Sequence, residues 1–209
     1  MVGPNWPNSG EIDIIEYVND QTSDLTTLHT SDNCNQASED TSSFTGTWAT
    51  GIDNNTPATD CSVYSSTQWS NQGCGINGWN QPVGSTFNTN KGGIYALEWI
   101  PDQFIRAFYF SRENIPQDLL KNLPQPDSWG LPYAKFLLNN NICSSNHFNN
   151  NQIVFDTTFC GDWAGNNFPN MCSSSISCND YVKYNPTDFN DAYWLINYVH
   201  VYSSTGSSA

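Results

Sequence analysis

Positive charge is scarce in this chain: Lys and Arg number 6 against 20 Asp and Glu, a formal net charge of −14. That balance repels nucleic-acid phosphates and anionic membrane surfaces, so neither is an expected partner. Long apolar runs are missing too. No stretch reaches the length that crosses a bilayer, and the opening "MVGPNWPNSG" lacks the basic start and apolar run of an export signal. Helical patterning is thin, limited to 116–123 (PQDLLKNL) and 179–184 (NDYVKY). There is no paired C-x-x-C, and His29, His147 and His200 are scattered, which argues against a zinc site. Internal repeats are absent, and the one low-complexity stretch is the tail, where 204–209 are expected to form a flexible end.

What is present is neutral polarity and aromatic surface. Charged residues make up 12% of the chain and aromatics 14%, with Asn, Ser, Thr and Gln supplying the rest of the polarity. That mixture suits proteins that meet neutral, hydroxyl-rich carbohydrate with amides and flat rings. Seven cysteines (Cys34, Cys61, Cys74, Cys143, Cys160, Cys172 and Cys178) fit a disulfide framework and an oxidising, extracellular compartment, and their odd number leaves one without a partner inside the chain. Asn54-Asn55-Thr56 is a glycosylation sequon, weak support for secretion.

The 209 residues suit a single domain, expected over 1–203, and a monomer. β-Branched and aromatic residues mark strands at 11–18, 24–30, 93–100, 104–110, 153–159 and 193–202. Pro101 and Asp102 between two of these runs predict a hairpin. The intervening 31–60, 65–92 and 139–152 read as polar loops. The fold class is therefore all-β, most simply a two-sheet antiparallel β-sandwich whose curvature gives one sheet a groove.

Within the first strand, "NSGEIDIIEYV", alternation sends Glu11 and Asp13 to one face and Glu16 to the other. A β-bulge near Ile14 or Ile15 inserts one residue, reverses the alternation and returns Glu16 to the face of the other two. Simple strand geometry then leaves on the order of 5 Å between the Glu11 and Glu16 carboxyls, the gap of a retaining glycosidase. In such a pair one carboxylate attacks the anomeric carbon while the other protonates the leaving oxygen and later activates water. Asp13 is expected to hydrogen-bond Glu11 and to crowd the site with charge, raising the pKa of Glu16 while Glu11 stays ionised. The competing readings are a structural or calcium-binding role for the three carboxylates and an inert polar face.

Taken together, "NWPNSGEIDIIE", "LTTLHTS", "GGIYALEWI", "PDSWGLPYAKF", "FDTTFCGDWAG" and "AYWLINYVHVY" resemble the fungal laminarinase-type branch of glycoside hydrolase family 16 along nearly the whole chain. The resemblance implies a concanavalin-like jelly roll that cleaves β-1,3 or mixed β-1,3/1,4 glucans with retention, acting on β-glucan polysaccharide without a cofactor. Position by position it implies Glu11 as nucleophile, Asp13 as assisting aspartate, Glu16 as acid/base, His29 beside that cluster, and Trp6 and Trp163 as sugar-binding aromatics. Only ten residues precede Glu11, where this branch carries several strands, so the chain is expected to lack the usual N-terminal segment and its export signal. A non-catalytic glucan-binding sandwich and an inactive fragment are the alternative functions.

Overall fold

A computed structural model describes residues 1–172 and 174–203. It divides into two compact units, Met1–Val154 and Phe155–Ala209. In the first, two antiparallel sheets face each other. One contains β1 (Glu11–Glu16), β2 (Ser23–His29), β3 (Thr47–Trp48) and β4 (Cys74–Pro82), in the order β1-β2-β4-β3. After β4 a short helix, α1 (Gly84–Thr89), leads into the second sheet. That sheet is β5 (Gly93–Ile100), β6 (Phe104–Ser111) and, past the single-turn helix α2 (Gln117–Leu120), β7 (Ala134–Leu137), in sequence order.

The predicted hairpin is present: β5 and β6 pair without a slip from Gly93↔Ser111 to Ile100↔Phe104. Asp102 turns the corner in the left-handed region, at φ +60°, a conformation that Asp tolerates better than most side chains. The core lies between the sheets. Ile12, Leu28 and Ile76 come from the first sheet, Ile105, Ala107, Ala134 and Phe136 from the second, and Phe44, Tyr133 and Phe148 join them from outside the strands. Alternation leaves the other face of the first sheet to Glu11, Asp13 and their neighbours.

The polar segments between strands are pinned rather than loose. Cys34–Cys143 joins the 31–60 and 139–152 segments, Cys61–Cys74 fastens the chain to the start of β4, and Cys160–Cys178 bridges a sequence separation of 18 in the second unit, so three disulfides use six of the seven cysteines. Buried Glu39 receives Lys135 at 3.1 Å and the Ser43 hydroxyl at 2.6 Å, anchoring 31–60 to β7.

Three sequence expectations need correction. First, 31–60 contains β3, and 65–92 contains β4 and α1, rather than only loop. Second, 153–159 and 193–202 have strand-like patterning but form no strand among the described residues. Alternation encodes which face a strand would bury, whereas a strand exists only through a ladder with a partner. In the second unit these segments meet through side chains instead: Phe155 packs edge-on to Trp194, whose indole N–H donates to the Asp156 carbonyl at 2.7 Å. Third, helix is not confined to 116–123 and 179–184: the segment "GDWAG" that carries Trp163 opens the helix α3 (Gly161–Met171). Helix α4 (Cys178–Tyr184) begins one residue before its expected start and is capped by the Ser177 hydroxyl, which accepts the Asp180 N–H at 3.1 Å. The tail 204–209 lies outside the described residues.

Candidate active site

The bulge expected in β1 is present and lies where the carboxylates require it. Glu11 pairs with His29, Ile12 with Leu28 and Asp13 with Thr27, but the next pair is Glu16 with Leu25. Three steps along β1 are thus matched by two along β2, and the extra residue falls at Ile14 or Ile15. Glu16 is thereby returned to the face that carries Glu11 and Asp13, with Leu25 and Thr27 as its cross-strand neighbours on β2. Further across that face stands Gly75 of β4, paired with Thr27. A Cβ there would come within 3.0 Å of Leu25 Cδ1 and 3.2 Å of Thr27 Oγ1, so the strand stays small where the surface must stay flat.

Each carboxylate has its own environment. Trp6, half-exposed, donates its indole N–H to Glu11 Oε2 at 2.7 Å. The partner given to Asp13 is His29, with Nε2 at 3.2 Å from Oδ2. This corrects the expectation that Asp13 would hydrogen-bond Glu11. His29 stands directly opposite Glu11, and its ring reaches two residues along β1, to the next side chain on that face, Asp13. A carboxylate partner requires the proton on Nε2, which fixes the ring's orientation. Gly73, in the left-handed region at φ +63°, backs the imidazole, and a Cβ there would sit 2.8 Å from His29 Nδ1. Sequence reading missed that residue; a glycine before a strand offers too general a signal.

Burial and like charge set the protonation states. Burial, then the charge of Asp13, pushes the Glu16 carboxyl up to about 8; Glu11 and Asp24 add to the rise and His29 opposes it. Glu16 therefore keeps its proton at neutral pH, as expected of an acid catalyst. Glu11 is also raised, by burial and by Asp13, while His29 and the Trp6 indole pull it back. The His29 ring, the Trp6 indole and the N-terminal ammonium are the groups that favour the Glu11 anion against burial and the charge of Asp13. His29 is pulled down by burial, but its hydrogen bond to Asp13 and the three carboxylates outweigh that and leave it raised.

Behind the bulge lies a group that sequence reading did not single out. Asp24 of β2, fully buried on the core side, accepts the Glu16 N–H at 3.0 Å and the Tyr133 hydroxyl at 2.9 Å. The signal for it was a charge at the head of the apolar run "DLTTLH".

Glu11, Asp13 and His29 place one ligand atom each within 4.8 Å of one another and could hold a cation. One of the three is nitrogen, which suits calcium poorly. Two carboxylates with a third beside them are equally the equipment for proton transfer and nucleophilic attack on an acetal carbon.

The first unit thus brings Trp6, Glu11, Asp13, Glu16 and His29 together on one strand pair and the turn before it. Trp163 lies on α3 of the second unit, about a third exposed. His147 packs against the 31–33 turn, its ring 3.5 Å from the Ser31 hydroxyl and 3.4 Å from the Asn33 carbonyl, as a structural residue would.

The model of the XgeA-like catalytic domain of family GH16 matches residues 1–202. The chain belongs to glycoside hydrolase family 16. An "Endo-1,3(4)-beta-glucanase" of Arthroderma benhamiae is 39% identical over 202 residues, covering 94% of this chain and 42% of that protein. A Schizosaccharomyces pombe protein named "Probable glycosidase" is 40% identical over 204 residues, covering 96% and 45%. Among solved structures, an elongating family 16 β-1,3-glucosyltransferase superimposes with a TM-score of 0.76 at 35% identity, covering 92% of this chain and 62% of its own. This family 16 chain therefore spans less than two thirds of each of these relatives. The membership and the all-β, two-sheet architecture agree with what the motifs implied.

Proposed function

We propose that the protein is an extracellular retaining endo-β-glucanase that cleaves β-1,3 or mixed β-1,3/1,4 glucans, and that residues 1–203 act as one catalytic domain. The observation that carries this reading is the bulge: it gathers three carboxylates on one face and leaves one of them, Glu16, protonated up to about pH 8. In the first step the Glu11 carboxylate attacks the anomeric carbon, and the bond to the glycosidic oxygen breaks as Glu16 gives that oxygen its proton. In the second step Glu16, now a carboxylate, takes a proton from water. The oxygen of that water displaces Glu11 from the anomeric carbon, and both groups return to their starting states.

Asp13 favours the protonated form of Glu16 before attack, and His29 orients Asp13 through its 3.2 Å contact. Trp6 serves twice: its N–H steadies the Glu11 anion, and its exposed indole suits the apolar face of a pyranose. Trp163 is proposed as a second sugar-binding aromatic, and no step draws on a cofactor. The names of the relatives support a β-glucan substrate, since one is called an endo-1,3(4)-beta-glucanase and another a β-1,3-glucosyltransferase.

The test is release of reducing ends from laminarin and lichenan by the purified chain, abolished in Glu11→Gln. Glucan binding without turnover, undiminished in that variant, would replace the enzyme by a binding module. The glucosyltransferase among the solved relatives favours one second reading, in which an acceptor sugar rather than water resolves the glycosyl-enzyme. Products longer than the substrate at high acceptor concentration would select it.

A further inference from the structure

A bulge that turns Glu16 to the catalytic face carries a structural cost. The inserted residue interrupts the ladder between Asp13 and Glu16, so backbone groups on either side lose their cross-strand partners. Buried and unpaired, each such group would cost about 1–3 kcal/mol. Here they are paired by side chains from behind the strand. The Glu16 N–H donates to Asp24 Oδ1 at 3.0 Å. The Ile14 carbonyl lies 3.1 Å from Thr26 Oγ1 and 3.3 Å from the Tyr133 hydroxyl. Those two hydroxyls are 2.9 Å apart, and both reach Asp24 Oδ2, at 3.1 Å and 2.9 Å.

All three side chains are at most 2% exposed. Two hydroxyl protons face two acceptors, Asp24 Oδ2 and the Ile14 carbonyl, so the set can be satisfied without water. It also joins distant parts of the chain, since Tyr133 lies 109 residues beyond Asp24. A buried carboxylate is expensive unless it is fully hydrogen-bonded. At Asp24 its oxygens are used on the one backbone segment that decides where Glu16 points.

We propose that Asp24, with Thr26 and Tyr133, positions the acid/base: the buried trio holds the β1 bulge, and the bulge aims the Glu16 carboxyl at the scissile oxygen. Asp24 is a positioning residue, since it sits on the core side of the sheet and acts through the Glu16 backbone. The inference rests on the acid/base role proposed for Glu16. It adds that loss of the trio produces an acid-catalysis defect in a chain that still folds and still holds Glu11.

Leaving-group dependence separates that defect from general damage. A sugar leaving group needs the proton of Glu16; a dinitrophenyl leaving group departs without it. The full chain is compared as wild type, Glu16→Ala, Asp24→Ala, Asp24→Asn and Tyr133→Phe, on laminarin and on dinitrophenyl β-laminaribioside. Asp24→Ala is expected to lose about 10²-fold in kcat/KM on laminarin but less than about 10-fold on the activated glycoside, with azide raising its turnover on the latter. Asp24→Asn keeps an oxygen to accept the Glu16 N–H and should stay close to wild type in that ratio. Tyr133→Phe, which removes one hydroxyl, should show the same discrimination more weakly, and it carries the test if Asp24→Ala does not fold. Equal losses on both substrates, in Asp24→Ala or failing that in Tyr133→Phe, would overturn the positioning role while Glu16→Ala still discriminates. If Glu16→Ala itself shows no discrimination, the acid/base assignment falls first and takes this proposal with it.

Discussion

Replacing Glu16 by Gln should make the protein more stable at alkaline pH. The amide has the shape of the protonated carboxyl and cannot ionise. In the folded protein Glu16 titrates at about 8 against an ordinary value of 4.5, the largest cause being burial and the next the charge of Asp13. Below pH 4.5 the group is protonated whether the chain is folded or not, so its full contribution to stability is present. As pH rises toward 8 the unfolded chain releases that proton and the folded chain retains it, and stability is lost. A span of three to four pH units corresponds to at most about 5 kcal/mol at ~1.4 kcal/mol each. Because the neighbouring Glu11 carboxyl and His29 imidazole shift along with it, we expect about 2–4 kcal/mol to be realised. For a chain of this length that is a rise of about 5–12 °C in Tm at pH 8 for Glu16→Gln over wild type, with the two curves meeting near pH 4. Thermal melts followed by circular dichroism at pH 4, 6 and 8 measure it. Activity on laminarin should fall about 10²–10⁴-fold in the same variant. A variant that parallels wild type at every pH, or is less stable at pH 8, would refute the claim that this carboxyl is held protonated.

Other perturbations read the remaining contacts. Trp6→Phe keeps a ring but removes the N–H that lowers the Glu11 pKa, so the acidic limb of the kcat/KM profile should move up by about half a unit to one unit, seen in a pH–rate series on lichenan. Asp13→Asn removes the charge that raises Glu16, so the alkaline limb should move to lower pH, read in the same series. Exhaustive treatment with EDTA should leave laminarin hydrolysis unchanged, because both proposed steps use only side chains and water; loss of activity restored by calcium would give the cluster of Glu11, Asp13 and His29 a cation instead.

The bulge could be read from sequence because parity is unforgiving: on a regular strand Glu16 faces the core among Ile12 and Ile14, and one inserted residue resolves that conflict. What holds the bulge could not. Asp24 and Thr26 are eight and twelve residues from their β1 partners, and Tyr133 is more than a hundred further on, so the trio exists only once both sheets have packed. The partner of Asp13 was misread for a related reason. Along one strand Glu11 is its nearest polar neighbour, whereas His29 reaches it diagonally from the paired strand. β4 was hidden by its glycines. Gly75 and Gly78 lower strand propensity, yet at Gly75 an added Cβ would press on Leu25 Cδ1 and Thr27 Oγ1, so the residue that weakens the local signal also leaves these two side chains on the catalytic face uncrowded. The segments 153–159 and 193–202 erred the opposite way, with strong alternation and no ladder to join.

In the proposed first step Glu11 becomes covalently bonded to the sugar. Incubating the chain with an activated 2-deoxy-2-fluoro β-laminaribioside, which forms the glycosyl-enzyme but resolves it slowly, and mapping the adduct by peptide mass spectrometry tests this most directly. One added disaccharide is expected on the peptide carrying Glu11, absent in Glu11→Gln and lost again on adding an acceptor sugar. Efficient turnover of laminarin by a chain that never acquires the adduct, or acquires it on another residue, would contradict it.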